Sequence, residues 1–79
     1  MNHRYFVETV KEHGGSQGFM LDDIDSAIYM AMMAGFALGG FDTMLTIEKL
    51  CKQFKQCDAY QMVSHESSRK QWTVRLRRM

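Results

Sequence analysis

The sequence predicts a single α+β domain over residues 1–79, with three helices followed by a C-terminal β-hairpin. Three observations carry this reading. Met44, Ile47, Leu50, Cys51 and Phe54 recur at intervals of three and four, the period of a helix with one apolar face. Trp72, Val74 and Leu76 alternate with Thr73, Arg75 and Arg77, the period of a half-buried strand. Glycine pairs at Gly14-Gly15 and Gly39-Gly40 cut the rest of the chain into helix-sized pieces. At 46% hydrophobic and 24% charged, with no proline, the composition is that of a folded protein. A single core in a chain this short supplies only about 3–5 kcal/mol, which makes association with a second copy an expected way to add stability.

The first helix is expected over Asn2 to His13. His3, Phe6, Val7, Val10 and His13 or Gly14 share one face, and Arg4, Glu8, Lys11 and Glu12 the other. Asn2 would cap its start and Gly14-Gly15 its end. A strand is the rival, because Tyr5, Val7 and Thr9 alternate. That rival would pair with the hairpin into a three-stranded sheet carrying two helices on one face. Gly14 to Gly18 reads as a loop.

The second helix starts near Asp22 and runs to about Leu38, where Gly39-Gly40 stops it. Asp22, Asp23 and Asp25 occupy its first turn, where carboxylates cap free N–H groups and complement the macrodipole. The apolar run Ala27 to Phe41 falls short of the ~20 residues a bilayer span needs, so a buried helix and no membrane association are expected. Ala27, Ala31, Gly35 and Gly39 recur every fourth residue, making a stripe of small side chains that admits another backbone, with Met30, Met32, Met33 and Phe36 beside it. The stripe serves either close packing within the chain or, as Ala27, Ala31, Gly35 and Met32, the interface of a homodimer.

The third helix opens at Phe41-Asp42, with Asp42 as N-cap, and continues to about Gln56. Thr46, Lys49, Gln53 and Gln56 form its polar stripe, flanked by Lys52 and Lys55. Tyr60 to His65 and Trp72 to Arg77 are the strands of the hairpin, joined by the polar loop Glu66 to Lys70. The expected core is Phe6, Val10, Ile24, Ile28, Phe36, Met44, Ile47, Leu50, Phe54, Trp72, Val74 and Leu76.

The formal net charge of +1 hides an asymmetry. From Glu48 onward Lys49, Lys52, Lys55, Arg69, Lys70, Arg75, Arg77 and Arg78 face only Glu48, Asp58 and Glu66. Before it, Arg4 and Lys11 face Glu8, Glu12, Asp22, Asp23, Asp25 and Asp42, so roughly −4 precedes +5. Such polarity argues for an anionic partner on one face. Cys51 and Cys57 form neither a zinc knuckle nor a disulfide framework, and Cys51 falls on an apolar helix face as a small hydrophobe. With no visible signal peptide, the cytoplasm is the expected compartment.

The order of helix, loop, helix, glycine turn, helix and basic hairpin resembles a winged helix-turn-helix domain. The residues that carry the resemblance are the Gly39-Gly40-Phe41-Asp42 turn, the Thr46/Lys49/Gln53/Gln56 stripe and the basic hairpin. It implies a small DNA-binding regulator, of the kind found on phages or mobile elements and dimeric, with Thr46, Lys49, Lys52, Gln53 and Gln56 in the major groove. Arg69 and Lys70 at the hairpin tip, with Arg75 and Arg77 on its polar face, would hold phosphates. The plainer alternative is a solvated helix face and a hairpin whose arginines solubilise an edge strand.

A second expectation is of a different class. Tiny, methionine-rich chains with a polarised surface fit the style of phage-encoded inhibitors, including anti-CRISPR proteins, which bind the proteins of a nucleic-acid-binding complex. There the acidic residues Glu8, Glu12, Asp22, Asp23 and Asp25 would mimic phosphates. Enzymatic chemistry has little to recommend it. His3, His13 and His65 show no metal-ligand spacing, with His65 expected as an exposed polar residue, and Asp22-Asp23-Ile24-Asp25 lacks the further ligands of an EF-hand. No serine sits in a nucleophile elbow and no phosphate-binding glycine motif is present, so no metal and no cofactor are expected.

Overall fold

The computed structural model of the protein describes residues 4–79. It runs β1 (Tyr5–Lys11), β2 (Gly15–Leu21), α1 (Ile24–Gln56), β3 (Met62–Glu66) and β4 (Trp72–Arg78). The strands form one antiparallel sheet in the order β2-β1-β4-β3, and α1 packs on one of its faces. The expected fold class is therefore corrected: one long helical segment lies on a four-stranded sheet, and the winged-helix arrangement does not hold. The proposed Asn2 cap and His3 lie outside the described residues.

The first segment is a strand because both its edges are paired. Val7 stands opposite Phe19 on β2 and opposite Leu76 on β4. Val7 is fully buried against α1, which places Tyr5 and Thr9 on the same face and Phe6, Glu8 and Val10 on the other. Residues 12–14 make a tight three-residue turn into Gly15, whose φ of 78° needs glycine. Gly18, read as loop, sits within β2 opposite Glu8. A Cβ there would meet the Phe6 ring, with Cε2 only 2.8 Å away, so that ring occupies the space the glycine leaves.

Asp23 caps α1, its carboxylate accepting a hydrogen bond of 2.9 Å from the Ser26 N–H. At Gly40 the path breaks, with φ 85° and ψ −167°, a conformation reserved for glycine. There the segment folds back: Lys55 meets Asp25, and Ile47 fills the space beside Gly35. The two arms of α1 thus lie antiparallel. By length and composition α1 is apolar enough to cross a membrane. Doubled back, each arm takes roughly half of its 33 residues, ~25 Å, against ~30 Å of bilayer core.

The core is Val7, Ala27, Ala31, Ile47, Cys51, Phe54, Val74 and Leu76. The alanines and Gly35 lie between the arms and over the sheet, where only small side chains fit. Several expected core residues belong elsewhere: Phe36 is 47% exposed, and Phe6 and Val10 face away from α1. β3 and β4 form a hairpin, closed by Ser67, whose N–H donates to the Trp72 carbonyl and whose Oγ accepts from the Gln71 N–H.

Candidate binding surface

The sheet divides the nine residues expected to hold nucleic acid into separate groups. Arg75 and Arg77 alternate with the buried Val74 and Leu76, so they stand on the face opposite α1. There Arg75 Nη1 lies 3.2 Å from Glu8 Oε1, and the Arg77 guanidinium sits 5.0 Å from the Phe6 ring centre. Arg69 and Lys70 lie in the turn between β3 and β4, Lys70 with a φ of 55°. Thr46, Lys49, Lys52, Gln53 and Gln56 remain together, all exposed on the outer side of the second arm of α1. One surface cannot present the helix stripe and the β4 arginines at once.

The second arm explains its own geometry. Ile47, Cys51 and Phe54 turn inward at spacings of four and three, so residues half a turn away must turn outward. Phe41, Leu45, Lys49, Lys52 and Gln56 follow each other along that outer line at intervals of three and four. Phe41 is 58% and Leu45 44% exposed, large apolar side chains that the core does not use. Lys52 reaches Glu48 at 3.4 Å, and the Thr46 hydroxyl donates to the Asp42 carbonyl at 3.0 Å. On the first arm Tyr29, Met33 and Phe36 are likewise exposed. The polarity of the second arm conceals Phe41 and Leu45. Their signal was present as two large apolar residues four apart on the lysine side of the helix.

The acidic residues divide as well: Asp22, Asp23 and Asp25 stay together at the start of α1, and Glu8 and Glu12 lie apart from them. Glu8 pairs with Arg75 and Asp25 with Lys55. Glu12 follows β1 and Asp22 follows β2, which places them at opposite ends of the antiparallel β1–β2 pair. The dimer candidates Ala27 and Ala31 are 0% and 1% exposed and Gly35 is buried, covered by the second arm of the same chain, while Met32 is half-buried. His65 is half-buried rather than exposed, its ring 5.6 Å from that of Trp72.

Arg78 has a structural position that its place in a basic run conceals. Its guanidinium lies 3.9 Å from the Phe54 ring centre, donates to the Phe54 carbonyl at 2.9 Å, and also donates to the Tyr60 carbonyl. The Phe54 carbonyl, in the last turn of α1, also accepts from the Cys57 N–H at 3.4 Å, so Arg78 adds a second donor to a helix end that carries partial negative charge.

Two ionisable groups are shifted. The Ser26 backbone N–H, with the Ser26 hydroxyl adding to it, holds the Asp23 carboxyl below its usual range. Burial pushes the Cys51 thiol up to about 11, so it stays protonated and inert at neutral pH. Among the described residues no group of three His, Cys, Asp or Glu is placed to hold a metal, and no buried side-chain polar atom lacks a partner. The recess between Ala31, Ile47, Cys51 and Val63 holds about 10 Å³, room for roughly one water. The chain matches no family model, no curated protein and no solved structure.

Proposed function

We propose that this protein is a non-enzymatic binding protein of the inhibitor or adaptor kind, docking on a protein partner through the outer side of the second arm of α1. The observation that supports this is the exposed line Phe41, Leu45, Lys49 and Lys52, apolar at the start of the arm and basic further along. A helix offering anchors at these intervals suits a groove on another protein. Aromatic side chains such as Phe41 are enriched at protein interfaces, where they fill pockets on the partner. The fitting partner carries an apolar recess beside acidic groups. DNA binding keeps five of its nine expected residues on this stripe but loses the wing that would have flanked them.

The test places a photo-crosslinking amino acid at Leu45, with a second at Thr73 on the far face of the sheet as control. A discrete protein adduct from position 45 that disappears with Phe41→Ala is the expected result. Duplex DNA anisotropy at about 50 and 200 mM salt supplies the competing outcome. Salt-steep DNA binding that is abolished by Lys49→Ala with Lys52→Ala, without a protein adduct, would overturn the proposal in favour of nucleic acid.

A further inference from the structure

The two edges of the sheet are not alike. β3 is five residues long, ends at Glu66 and leads toward Arg69 and Lys70. Short length and charge are the ordinary protections of an edge. β2 has neither. It is seven residues long, pairs with β1 without a bulge, and carries no Lys, Arg, Asp, Glu or Pro anywhere between Glu12 and Asp22. Every second residue of β2 turns its N–H and C=O away from β1, toward open space.

The first arm of α1 overhangs this edge. Met30, Met33, Ala37 and Leu38 meet Gln17 and Phe19 across an open, mainly apolar groove of about 290 Å³, with Lys11 of β1 the one charged residue lining it among the described residues. Phe19 is 40%, Met20 50% and Met33 39% exposed, so both faces of the edge and the helix above it show apolar side chains. A fifth strand laid along β2 would run beneath Met33, its backbone completing the open hydrogen bonds and its side chains filling the groove.

We infer that the occupant is β2 of a second copy, paired antiparallel across a two-fold axis to join two sheets into one of eight strands. A two-fold contact sets residue i against residue j of the other copy and j against i, so an edge carrying charge of one sign repels itself. β2 is free of charge over its whole length, so nothing in it opposes self-pairing and nothing in it would select a charged partner peptide. Antiparallel pairing about Gly18 places Phe19 opposite Gln17 and Met20 opposite Ser16 of the other copy, with no like charges facing. It also brings the two overhanging Met33 side chains over the joined edge. This contact is separate from Phe41 and Leu45, which stay free for a partner.

Sedimentation equilibrium over about 1 to 100 μM tests it, because association follows mass action. The expected particle has twice the 9.2 kDa chain mass. Gln17→Lys with Met33→Lys should reduce it to a monomer with an unchanged circular-dichroism spectrum, while Phe41→Ala with Leu45→Ser should leave it dimeric. Hydrogen exchange gives a readout that does not depend on a variant folding: alternate amides of β2 in the native protein should be protected at high concentration and exposed on dilution. A monomer throughout, a dimer indifferent to the lysines, or β2 amides indifferent to concentration would each sink the inference.

Discussion

The Lys55 ammonium lies 2.7 Å from the Asp25 carboxylate, thirty residues away in sequence, and joins the last turn of α1 to its first. Both charges also complement the helix ends on which they sit. Yet the side chains are 49% and 76% exposed, so water and salt screen the pair. Lys55→Ala is expected to cost less than about 1 kcal/mol, and less again in high salt. Urea denaturation at two ionic strengths checks this. A loss of several kcal/mol would mean that the pair, rather than the apolar seam, holds the arms together.

Within that seam Gly35 is a point of close approach. A Cβ at this position would meet Ile47 Cδ1, and the Thr43 methyl lies 3.4 Å from it. Gly35→Ala gains helix propensity but overpacks the contact, a cost of about 1–3 kcal/mol. Ile47→Val removes the obstructing methyl. The two changes should therefore be non-additive, with Gly35→Ala at least about 1 kcal/mol more favourable in the Ile47→Val background. A double-mutant cycle from denaturation midpoints measures it, and additivity would refute close contact of the arms.

Arg78 closes the far end of the same segment through the Phe54 carbonyl and ring. Charged hydrogen bonds to a partly buried acceptor are worth more than neutral ones, so Arg78→Ala should destabilise by about 1–3 kcal/mol. Arg77→Ala, on the solvent face with its guanidinium over Phe6, should cost less than half of that. Thermal melts of the two variants separate a structural arginine from its neighbour. Equal effects would argue that the basic run acts through net charge alone.

Much of the helical hairpin was legible in the sequence, because Gly39-Gly40 and the three-four spacing from Met44 to Phe54 admit one interpretation. The stripe from Ala27 to Gly35 was legible as a close approach, and the approaching backbone is the second arm. The first twenty residues were not. β1 is central, with apolar residues on both of its faces, so Val7 toward α1 and Phe6 and Val10 away from it mimic a helical stripe. The competing alternation of Tyr5, Val7 and Thr9 was the correct period. Gly18 looked like a loop residue because its use depends on the Phe6 ring, a contact that local sequence does not reveal. The expected binding residues divide between two faces for a related reason: a two-residue period sends Arg75 and Arg77 to the face that α1 does not occupy.

Cys51 makes the fold sensitive to alkali. Its thiol is fully buried and ionises at about 11 in the folded protein, above the value near 9 of an exposed thiol. Below pH ~9 both folded and unfolded chains hold the proton, and the contribution is fully present. As pH rises toward 11 the unfolded chain releases it first, so stability falls, by on the order of 2–3 kcal/mol across the window. The difference between native protein and Cys51→Ala is the quantity to follow, because it isolates this one thiol. That difference should be constant from pH 6 to about 8.5 and shift in favour of the variant above it. Thiol labelling offers a second view: Cys57, half-buried, should react in the native state, whereas Cys51 should wait for unfolding. Equal labelling rates, or a pH-independent difference up to about 11, would show that water reaches the seam between α1 and the sheet.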